Sequence, residues 1–473
     1  SDGQAIRLVS TAIPGRFLKY PRIHTTHRKW SRDSRWLVFT DRRTLAHAWQ
    51  LWAVSIETLQ RRPLTAGSFS DYISDSAPVL SPNGKFLLFA RNPHTFEVEL
   101  RLLPMSPDFF RMGESTVLHT GGYGEIRFSR PSWTRDGKGI IFASGYYRGL
   151  TWLSNLGVSS SGNPRGDPVR LEGGGEDAAN IAISSDRNGT VRRLAYERRI
   201  AEENIWSLDL AHPEERQSQP LIGSTRDDYL PRFSPDGTRI AYVSSRTGWT
   251  EIYVSRADGS RTVRLTSVGR GLTTNPRWSP DGTQIVYDSR SDGGPNLFVI
   301  DAAGGPSRKL VEGDGNQAFW SHEGQRIYLH AVRSGRPEVW RIAARGGRPE
   351  QVTTDGGRYA EESPEGDALY YENPKGLWVR PMGGGHDTRI WGPIRFQQSF
   401  NVVKDGVYFI ADDPETGHTG LYHYEEDSGD TTLLTEFDKE LARGITVAPD
   451  RTRLLYSQVD RQESDLMLVE NLR

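Results

Sequence analysis

The chain has 473 residues, with 59 Lys and Arg against 60 Asp and Glu, so its formal net charge is -1. This balance excludes a protein that binds nucleic acid or an anionic membrane through its overall electrostatic field. The chain has no cysteine, which excludes disulfides, thiolate zinc sites and cysteine nucleophiles. No run approaches the roughly 18 consecutive apolar residues of a membrane-spanning helix. The 13 Trp, 17 Phe, 18 Tyr and 49 Gly indicate an aromatic-rich folded chain with many turns.

A repeated turn followed by an alternating strand organises the whole sequence. Its clearest copies are FSPDG at 233–237, followed by RIAYVSS, and WSPDG at 278–282, followed by QIVYDSR. Pro and Asp are typical of tight turns, and Gly accepts the positive φ that closes a hairpin. Further strands complete a unit of four. In chain order we count ten copies, at 30–39, 80–89, 133–142, 183–196, 233–245, 278–290, 320–329, 362–371, 403–410 and 448–457.

The spacing of these copies predicts the fold class. Early copies are about 50 residues apart and later ones about 42 to 45, near the ~40–50 residues of one four-stranded propeller blade. We therefore predict an all-β protein, a β-propeller with ten blade-like repeats. The aromatic residue before each turn and the alternating apolar residues after it should fill the space between adjacent sheets.

The end of the chain bears on how the blades close. The last repeat supplies three predicted strands, 444–449, 453–459 and 465–471, so we expect the strand-like segment 4–10 (QAIRLVS) to complete its blade. Ten units fit either one ring, residues 1–473, or two propellers, 11–224 and 225–473. We favour one ring because no Pro/Gly/Ser linker or charge run separates the units.

The repeat resembles a known family. The [WF]SPDG turn with its I-A-Y or V-Y strand resembles the TolB-like propeller repeat over essentially the full chain. More specifically, residues 224–260, 275–290 and 454–473 are similar to the C-terminal propeller of bacterial membrane-linked regulators that carry a CadC- or ToxR-type winged-helix DNA-binding domain and a transmembrane helix. The segment SDLMLVEN at 464–471 is the most distinctive. The present sequence contains neither of those further parts and begins at Ser1 rather than Met, so their existence upstream stays open.

This resemblance implies a periplasmic or extracytoplasmic module that senses a signal or binds a protein, peptide or polar small ligand without catalysis. It also implies a bacterial signalling or regulatory protein. The segment itself should neither bind nucleic acid nor insert into a membrane, and we predict no catalytic residue and no required cofactor.

Residues just before each innermost strand should line one mouth of the central channel of a propeller. In this sequence they are polar and of mixed sign, which suits a hydrogen-bonded ligand. The candidate ligand-binding residues are His24, His27, Arg127, Arg130, Asp227, Asp228, Tyr229, Tyr359, Gln397 and Gln398. The cluster at 227–229 is the preferred one, because acidic loop residues also suit Ca²⁺ or another divalent ion.

Two histidine pairs are further metal candidates, His24 with His27 and His418 with His423. A spacing of three or five places the two side chains on opposite faces of an extended strand, so neither pair is preformed there.

The segment 22–29 (RIHTTHRK) supports an alternative function. The opening of the chain resembles propeller polysaccharide lyases such as oligogalacturonate lyase, and abstraction of a proton beside a uronate carboxylate needs a base with a cation or metal. The alternative is therefore an extracytoplasmic carbohydrate-active enzyme, either a lyase of this kind or a glycoside hydrolase.

Overall fold

The computed structural model describes residues 29–41, 49–65, 74–94, 97–122, 131–145, 151–172, 177–185, 191–212, 214, 216–269, 271–291 and 294–470. These residues form 37 β-strands and no α-helix, which confirms the predicted all-β class. Over the same residues, no helix is long and apolar enough to cross a membrane.

The chain divides into two compact units. Unit 1 comprises Ser1–Arg199 and Ser464–Arg473. Among its described residues are three four-stranded sheets whose strands follow one another in chain order. Their strands are β1 Lys29–Trp30, β2 Trp36–Asp41, β3 Gln50–Ser55 and β4 Arg61–Pro63; β5 Ser74–Leu80, β6 Phe86–His94, β7 Glu97–Pro104 and β8 Thr116–Gly122; and β9 Ser132–Trp133, β10 Gly139–Gly145, β11 Thr151–Val158 and β12 Pro164–Arg170.

One five-stranded sheet joins the fourth and tenth repeats. It contains β13 Ala178–Ser185, β14 Val191–Asp209, β15 Ser218–Ile222, β36 Leu441–Val447 and β37 Arg453–Glu470, in the order β13-β14-β37-β36 with β15 paired to β14. The predicted break between residues 459 and 465 is wrong, because β37 is continuous over 18 residues. Asp460 in that stretch accepts hydrogen bonds from Asn204 Nδ2 (2.7 Å) and Trp206 Nε1 (3.1 Å) of β14. Pairing with β14 therefore keeps a polar, turn-like sequence extended. Residues 4–10, predicted to close a blade, lie outside the described residues.

Unit 2 comprises Ile200–Glu463. Five four-stranded sheets lie within it, each again in chain order. Their strands are β16 Asp228–Phe233, β17 Arg239–Ser244, β18 Glu251–Arg256 and β19 Val263–Arg264; β20 Thr273–Trp278, β21 Gln284–Ser289, β22 Asn296–Asp301 and β23 Arg308–Val311; β24 Asn316–Trp320, β25 Arg326–Ala331, β26 Glu338–Ala343 and β27 Glu350–Gln351; β28 Ala360–Glu362, β29 Ala368–Asn373, β30 Gly376–Pro381 and β31 Thr388–Trp391; and β32 Phe400–Val403, β33 Gly406–Asp412, β34 Thr419–Glu425 and β35 Thr431–Phe437.

The repeated turn has the predicted local chemistry. Ser234 Oγ donates to Asp236 Oδ1 at 2.5 Å, and the same carboxylate oxygen accepts the Thr238 backbone N–H at 3.0 Å. Gly237 has a φ of 69°, which a glycine adopts without steric cost. These bonds close the hairpin between the first and second strands of the sheet, so the turn residues are structural, as predicted.

Most aromatic residues that precede a turn lie in the core between neighbouring sheets, as predicted, whereas Trp30, before the first turn, is 54% exposed. Trp278 is 8% exposed and packs with Val243 of the preceding sheet and with Ile285 and Tyr287 of its own. In the same way, Trp320 packs against Val286 of the sheet before it. Burying one such side chain contributes roughly 1.5–3 kcal/mol. The apolar cores therefore lie between sheets, and the innermost strands are left to present polar side chains.

Gly406 provides a test of how tightly two strands of one sheet approach. Its φ is 140°, and a Cβ there would lie 1.9 Å from the Tyr424 carbonyl oxygen. We expect Gly406→Ala to lower the free energy of unfolding by about 2–4 kcal/mol, combining φ strain with overpacking. At Gly429 φ is 74° and nothing lies within 4 Å of an added Cβ. Gly429→Ala should therefore cost only about 1–2 kcal/mol. Urea unfolding followed by tryptophan fluorescence checks both values, and equal losses would contradict the close approach.

Candidate functional site

Bulges in the innermost strands of unit 2 determine which side chains face its centre. The strand register shifts between Tyr229 and Arg232 in β16 and between Thr274 and Arg277 in β20. Asn275, inside the second bulge, has a φ of 57°. A bulge inserts an extra residue and re-aims the neighbouring side chains, and Asn tolerates positive φ better than most residues. The same kind of bulge therefore recurs in these repeats and turns polar side chains toward the centre of unit 2.

Side chains from several innermost strands meet in one buried group, which we call the central cluster. It contains residues of β16 and β20 and residues at or just before β28 and β32. Its members are Arg232, Asn275, Arg277, Tyr359, Glu361 and Gln398, none more than 6% exposed.

Arg277 is the hub of the central cluster. Its Nη2 donates to the Tyr359 hydroxyl and, at 3.0 Å, to Gln398 Oε1, and it lies 3.9 Å from Glu361 Oε1. The Tyr359 hydroxyl in turn donates to Glu361 Oε1. Gln398 Nε2 donates to Asn275 Oδ1 at 2.5 Å. These bonds join three different sheets, so the cluster links innermost strands that are distant in sequence.

The second oxygen of Glu361 is held by its neighbouring sheet. Glu361 Oε2 accepts the Val402 backbone N–H at 2.8 Å and Asn401 Nδ2 at 3.0 Å. Burial raises the pKa of Glu361, and the Arg277 guanidinium opposes that rise. Burial also raises the pKa of Tyr359 well above its ordinary value, so the hydroxyl keeps its proton and can donate it to the carboxylate. The cluster is a polar network that links the inner strands, in which Arg232 Nε and Arg277 Nε have no hydrogen-bond partner among the described residues.

A second polar group lies beside the central cluster and is partly open to solvent; we call it the rim group. It contains half-buried side chains that immediately precede innermost strands, together with buried residues next to them. Its members are Gln317, His330, Arg358, Glu372, Gln397, Ser399 and Arg443. Gln317 Nε2 donates to Gln397 Oε1 at 2.7 Å, and His330 Nδ1 lies 3.0 Å from Asn316 Oδ1.

Five buried polar atoms of the rim group have no hydrogen-bond partner within the described part of the chain: Gln317 Oε1, His330 Nε2, Ser399 Oγ and the two carboxylate oxygens of Glu372. Burial lowers the pKa of His330 to about 3, and the charges of Arg358 and Arg290 add to this effect. The ring is therefore neutral, and because Nδ1 must donate to the Asn316 carbonyl, Nε2 carries an unused lone pair. Buried polar groups are normally satisfied. Unpartnered acceptors and a hydroxyl within one group suit a ligand that donates hydrogen bonds.

Glu372 is the carboxylic acid of the rim group. Burial raises its pKa to about 8, against the opposing charges of Arg358 and Arg443. Its backbone is tied to the same strand ends, since the Glu372 N–H donates to the Tyr359 carbonyl at 2.9 Å. A carboxyl group at the rim thus holds its proton near neutral pH.

The structure brings three of the sequence-predicted residues together. Tyr359 and Gln398 are buried in the central cluster and share Arg277, and Gln397 lies in the rim group above them. The candidates His24, His27, Arg127 and Arg130 lie outside the described residues, as do residues 22–28 of the segment on which the lyase alternative depends.

The residues of the preferred candidate cluster at 227–229 contact neighbouring side chains. The Asp227 N–H donates to Ser245 Oγ at 3.1 Å, and Asp228 Oδ1 accepts Arg246 Nη2 at 2.8 Å. Tyr229 is 3% exposed and belongs to a hydrophobic core. These residues fix the start of β16.

The two residues of the other predicted histidine pair contact different carboxylates. His418 Nδ1 lies 3.5 Å from Glu436, and His423 Nε2 lies 4.0 Å from Asp405.

Sequence reasoning missed the charged members of the central cluster. Three repeats carry a charged residue at the same place in the first strand of the sheet: Arg232, Arg277 and Glu361. In β20 this place is two residues after Asn275 of the bulge. The neighbouring repeats carry Phe319 and Phe400 there. Charges of opposite sign at equivalent buried strand positions were the available signal, because buried charges need partners.

Known proteins contain sequences similar to this repeat. The TolB β-propeller domain, PD40, matches residues 191–377. Over this stretch the chain is similar to a TolB-like β-propeller domain. The matched stretch covers the strands that carry Arg232, Arg277 and Glu361. A curated relative, the Tol-Pal system protein TolB of Hahella chejuensis (strain KCTC 2396), is 32% identical over 93 residues, which are 19% of this chain. The match spans 22% of the length of that relative.

Solved structures give weaker similarities. TolB from Acinetobacter baumannii is 15% identical, with coverage of 70% of this chain and 83% of that one and a TM-score of 0.41. A chain from a nidogen–laminin complex is 8% identical, with coverage of 54% and 98% and a TM-score of 0.41. Because both TM-scores are below 0.5, the similarity to the TolB β-propeller domain depends on the sequence match over residues 191–377.

Proposed function

We propose that this protein is a non-enzymatic propeller scaffold that binds a peptide segment of a protein partner at the rim group. The observation that carries the proposal is the set of unpartnered buried atoms in this group: Gln317 Oε1, His330 Nε2, Ser399 Oγ and the two carboxylate oxygens of Glu372. A peptide backbone supplies N–H donors for these atoms, and its carbonyl oxygens suit the half-buried Arg358 and Arg443. The match to a Tol-Pal system protein supports binding of a protein rather than of a small metabolite.

A peptide-binding experiment tests this function. Phage-displayed random peptides panned on the full chain should yield binders whose affinity, measured by fluorescence anisotropy, falls about tenfold with Gln397→Ala. The reason is that loss of a hydrogen bond in a desolvated site costs about 1.4 kcal/mol. Arg264, exposed at the end of the outer strand β19, provides the matched control, and Arg264→Ala should leave the affinity unchanged.

Two results would contradict the proposal. One is a set of peptides whose affinity is indifferent to Gln397→Ala and to Arg358→Ala. The other is ultraviolet absorbance of an unsaturated product when the chain is incubated with uronate oligosaccharides, which would establish the lyase alternative.

We also propose that the six sheets containing strands of unit 2 form one ring. Support comes from contacts between successive sheets, including β16 with β36 and β32 with β36, so that the five-stranded sheet packs beside both the first and the last of the other five. An experimental density map of the full chain checks this directly, since six blades around one axis are expected. A single axis surrounded by ten blades would contradict it.

We further propose an extracytoplasmic location and a sensing role, as part of a bacterial regulator. The similarity of residues 224–260 and 464–471 to such regulators supports this role. The genomic sequence upstream of Ser1 tests it: a winged-helix domain and an apolar span of roughly 20 residues are expected there, and a gene that lacks both would contradict the regulatory role.

A further inference from the structure

One pair of neighbouring turns in unit 2 departs from the repeat. In the regular copies, the turn proline packs on the turn glycine of the next sheet: Pro235 lies 3.6 Å from a Cβ placed on Gly282, and Pro280 lies 3.6 Å from one on Gly324. In the next copy the proline is replaced by His322. The histidine therefore lies in a slot that the repeat normally fills with an apolar ring.

The imidazole ring of His322 packs closely on Gly366, the turn glycine of the next sheet. A Cβ on Gly366 would lie 2.1 Å from the imidazole ring of His322, and Gly366 has a φ of 77°. The next residue, Glu323, replaces the usual turn aspartate. A turn that elsewhere serves only to close a hairpin thus presents an imidazole and a carboxylate.

A second departure lies directly opposite. Glu362 occupies the position of the core aromatic that precedes the other turns, such as Trp278 and Trp320. Its side chain is 5% exposed. Replacing a buried aromatic ring by a carboxylate carries a desolvation cost, which a partner of opposite charge would offset.

The two departures converge on one point. His322 Nδ1 lies 3.0 Å from Glu323 Oε2 and 3.1 Å from Glu362 Oε2, and the three donor atoms all lie within 4.8 Å of one another. Tetrahedral zinc with bonds of about 2.0–2.2 Å needs donor atoms roughly 3.3 Å apart. Among the described residues, this is the one group of three or more His, Asp or Glu side chains whose ligand atoms lie within 4.8 Å of one another.

Outer contacts hold the buried carboxylate in place. Tyr328 Oη donates to Glu362 Oε1 at 2.8 Å, and the His322 backbone N–H donates to Glu362 Oε2 at 2.6 Å. Hydrogen bonds of this kind orient metal-binding carboxylates in proteins. The ion-pair contacts of Glu323 and Glu362 in the described part of the chain are with His322 rather than with Lys or Arg.

We propose that His322, Glu323 and Glu362 bind a divalent first-row transition metal ion, Zn²⁺. One imidazole nitrogen and two carboxylate oxygens form a donor set suited to this ion, and water completes a tetrahedral coordination because the side chains of His322 and Glu323 are 40% and 35% exposed. Tyr328 is a positioning residue that acts through Glu362. The site joins the turns of two adjacent sheets, and the ion cross-links them.

Calorimetric titration of the full chain with zinc chloride tests the site. We expect one Zn²⁺ per chain. His322→Ala and Glu362→Gln should each weaken binding by at least about 100-fold, since loss of an outer-shell partner alone typically costs about 10–100-fold. Tyr328→Phe should weaken it about tenfold, and the circular dichroism spectrum of each variant without metal should match that of the parent chain.

Matched controls separate this site from other histidines. His418 is a histidine that contacts one carboxylate, Glu436, rather than two. His418→Ala should therefore leave zinc affinity unchanged. Absence of zinc binding by the parent chain would overturn the proposal. So would zinc binding that survives both His322→Ala and Glu362→Gln, or that is lost instead in a variant with His24→Ala and His27→Ala.

Discussion

Arg277→Met should lower the free energy of unfolding by about 3–5 kcal/mol, the typical cost of removing one partner of a buried ion pair. Arg277 and Glu361 have side chains only 4% and 3% exposed, and Arg277 also donates to Tyr359 and Gln398. Methionine keeps most of the side-chain length but removes every donor. Glu361 then stays buried without its ion-pair partner. Chemical denaturation followed by tryptophan fluorescence measures the loss.

Two further variants identify the cause of that loss. Arg264→Ala, at an exposed arginine, should change stability by no more than about 0.5 kcal/mol. The double variant Arg277→Met with Glu361→Gln should recover about 0.5–3 kcal/mol relative to the sum of the two single losses, because it removes both charges. A loss for Arg277→Met that is no larger than for Arg264→Ala would show that the central cluster does not stabilise unit 2.

Glu372 should make the protein less stable as pH rises. Its pKa is about 8 in the folded chain against an ordinary value of 4.5, so between these values the folded state binds more protons than the unfolded state. Stability therefore falls as pH increases through this window and is constant with respect to this group below and above it. At about 1.4 kcal/mol per pKa unit, the full effect is at most about 4–5 kcal/mol.

Glu372→Gln should remove this dependence, because the amide resembles the protonated acid at every pH. Unfolding free energies at about pH 5 and about pH 9 should differ less in the variant than in the parent, and the variant should be the more stable of the two at the higher pH. Exposed Glu365 in the same hairpin is the control, and Glu365→Gln should leave the parent slope intact. A parent whose stability rises over this range, with Glu372→Gln removing the rise, would mean that Glu372 is ionised against Arg358 and Arg443.

Local chemistry explains what could be predicted from the sequence. The turn at 234–238 depends on residues that contact each other within a few positions, so Asp236 and Gly237 could be interpreted without a structure. Alternation then indicated the strands, and the repeat placed Gln397 shortly before the first strand of its sheet, β32.

Contacts between distant residues explain what could not be predicted. Arg277 and Tyr359 are 82 residues apart, and Arg277 and Gln398 are 121 apart. A repeat period indicates equivalent positions but not which side chains meet across the centre. The zinc proposal shows the same limit, because His322 and Glu362 each look like a single irregular residue until the two turns are placed side by side. The continuous strand β37 likewise depends on its pairing with β14.

That pairing has a consequence for synthesis of the chain. Asn204 of β14 and its partner Asp460 of β37 are 256 residues apart, so β14 leaves the ribosome long before the strand that covers its edge. All five intervening sheets of unit 2 are translated while that edge is open, and unpaired edges are sites of intermolecular association. Productive folding in the cell therefore depends on β37, which is translated after all five of these sheets. A chain that stops before β37 would leave β14 exposed, as a substrate for chaperones or proteases.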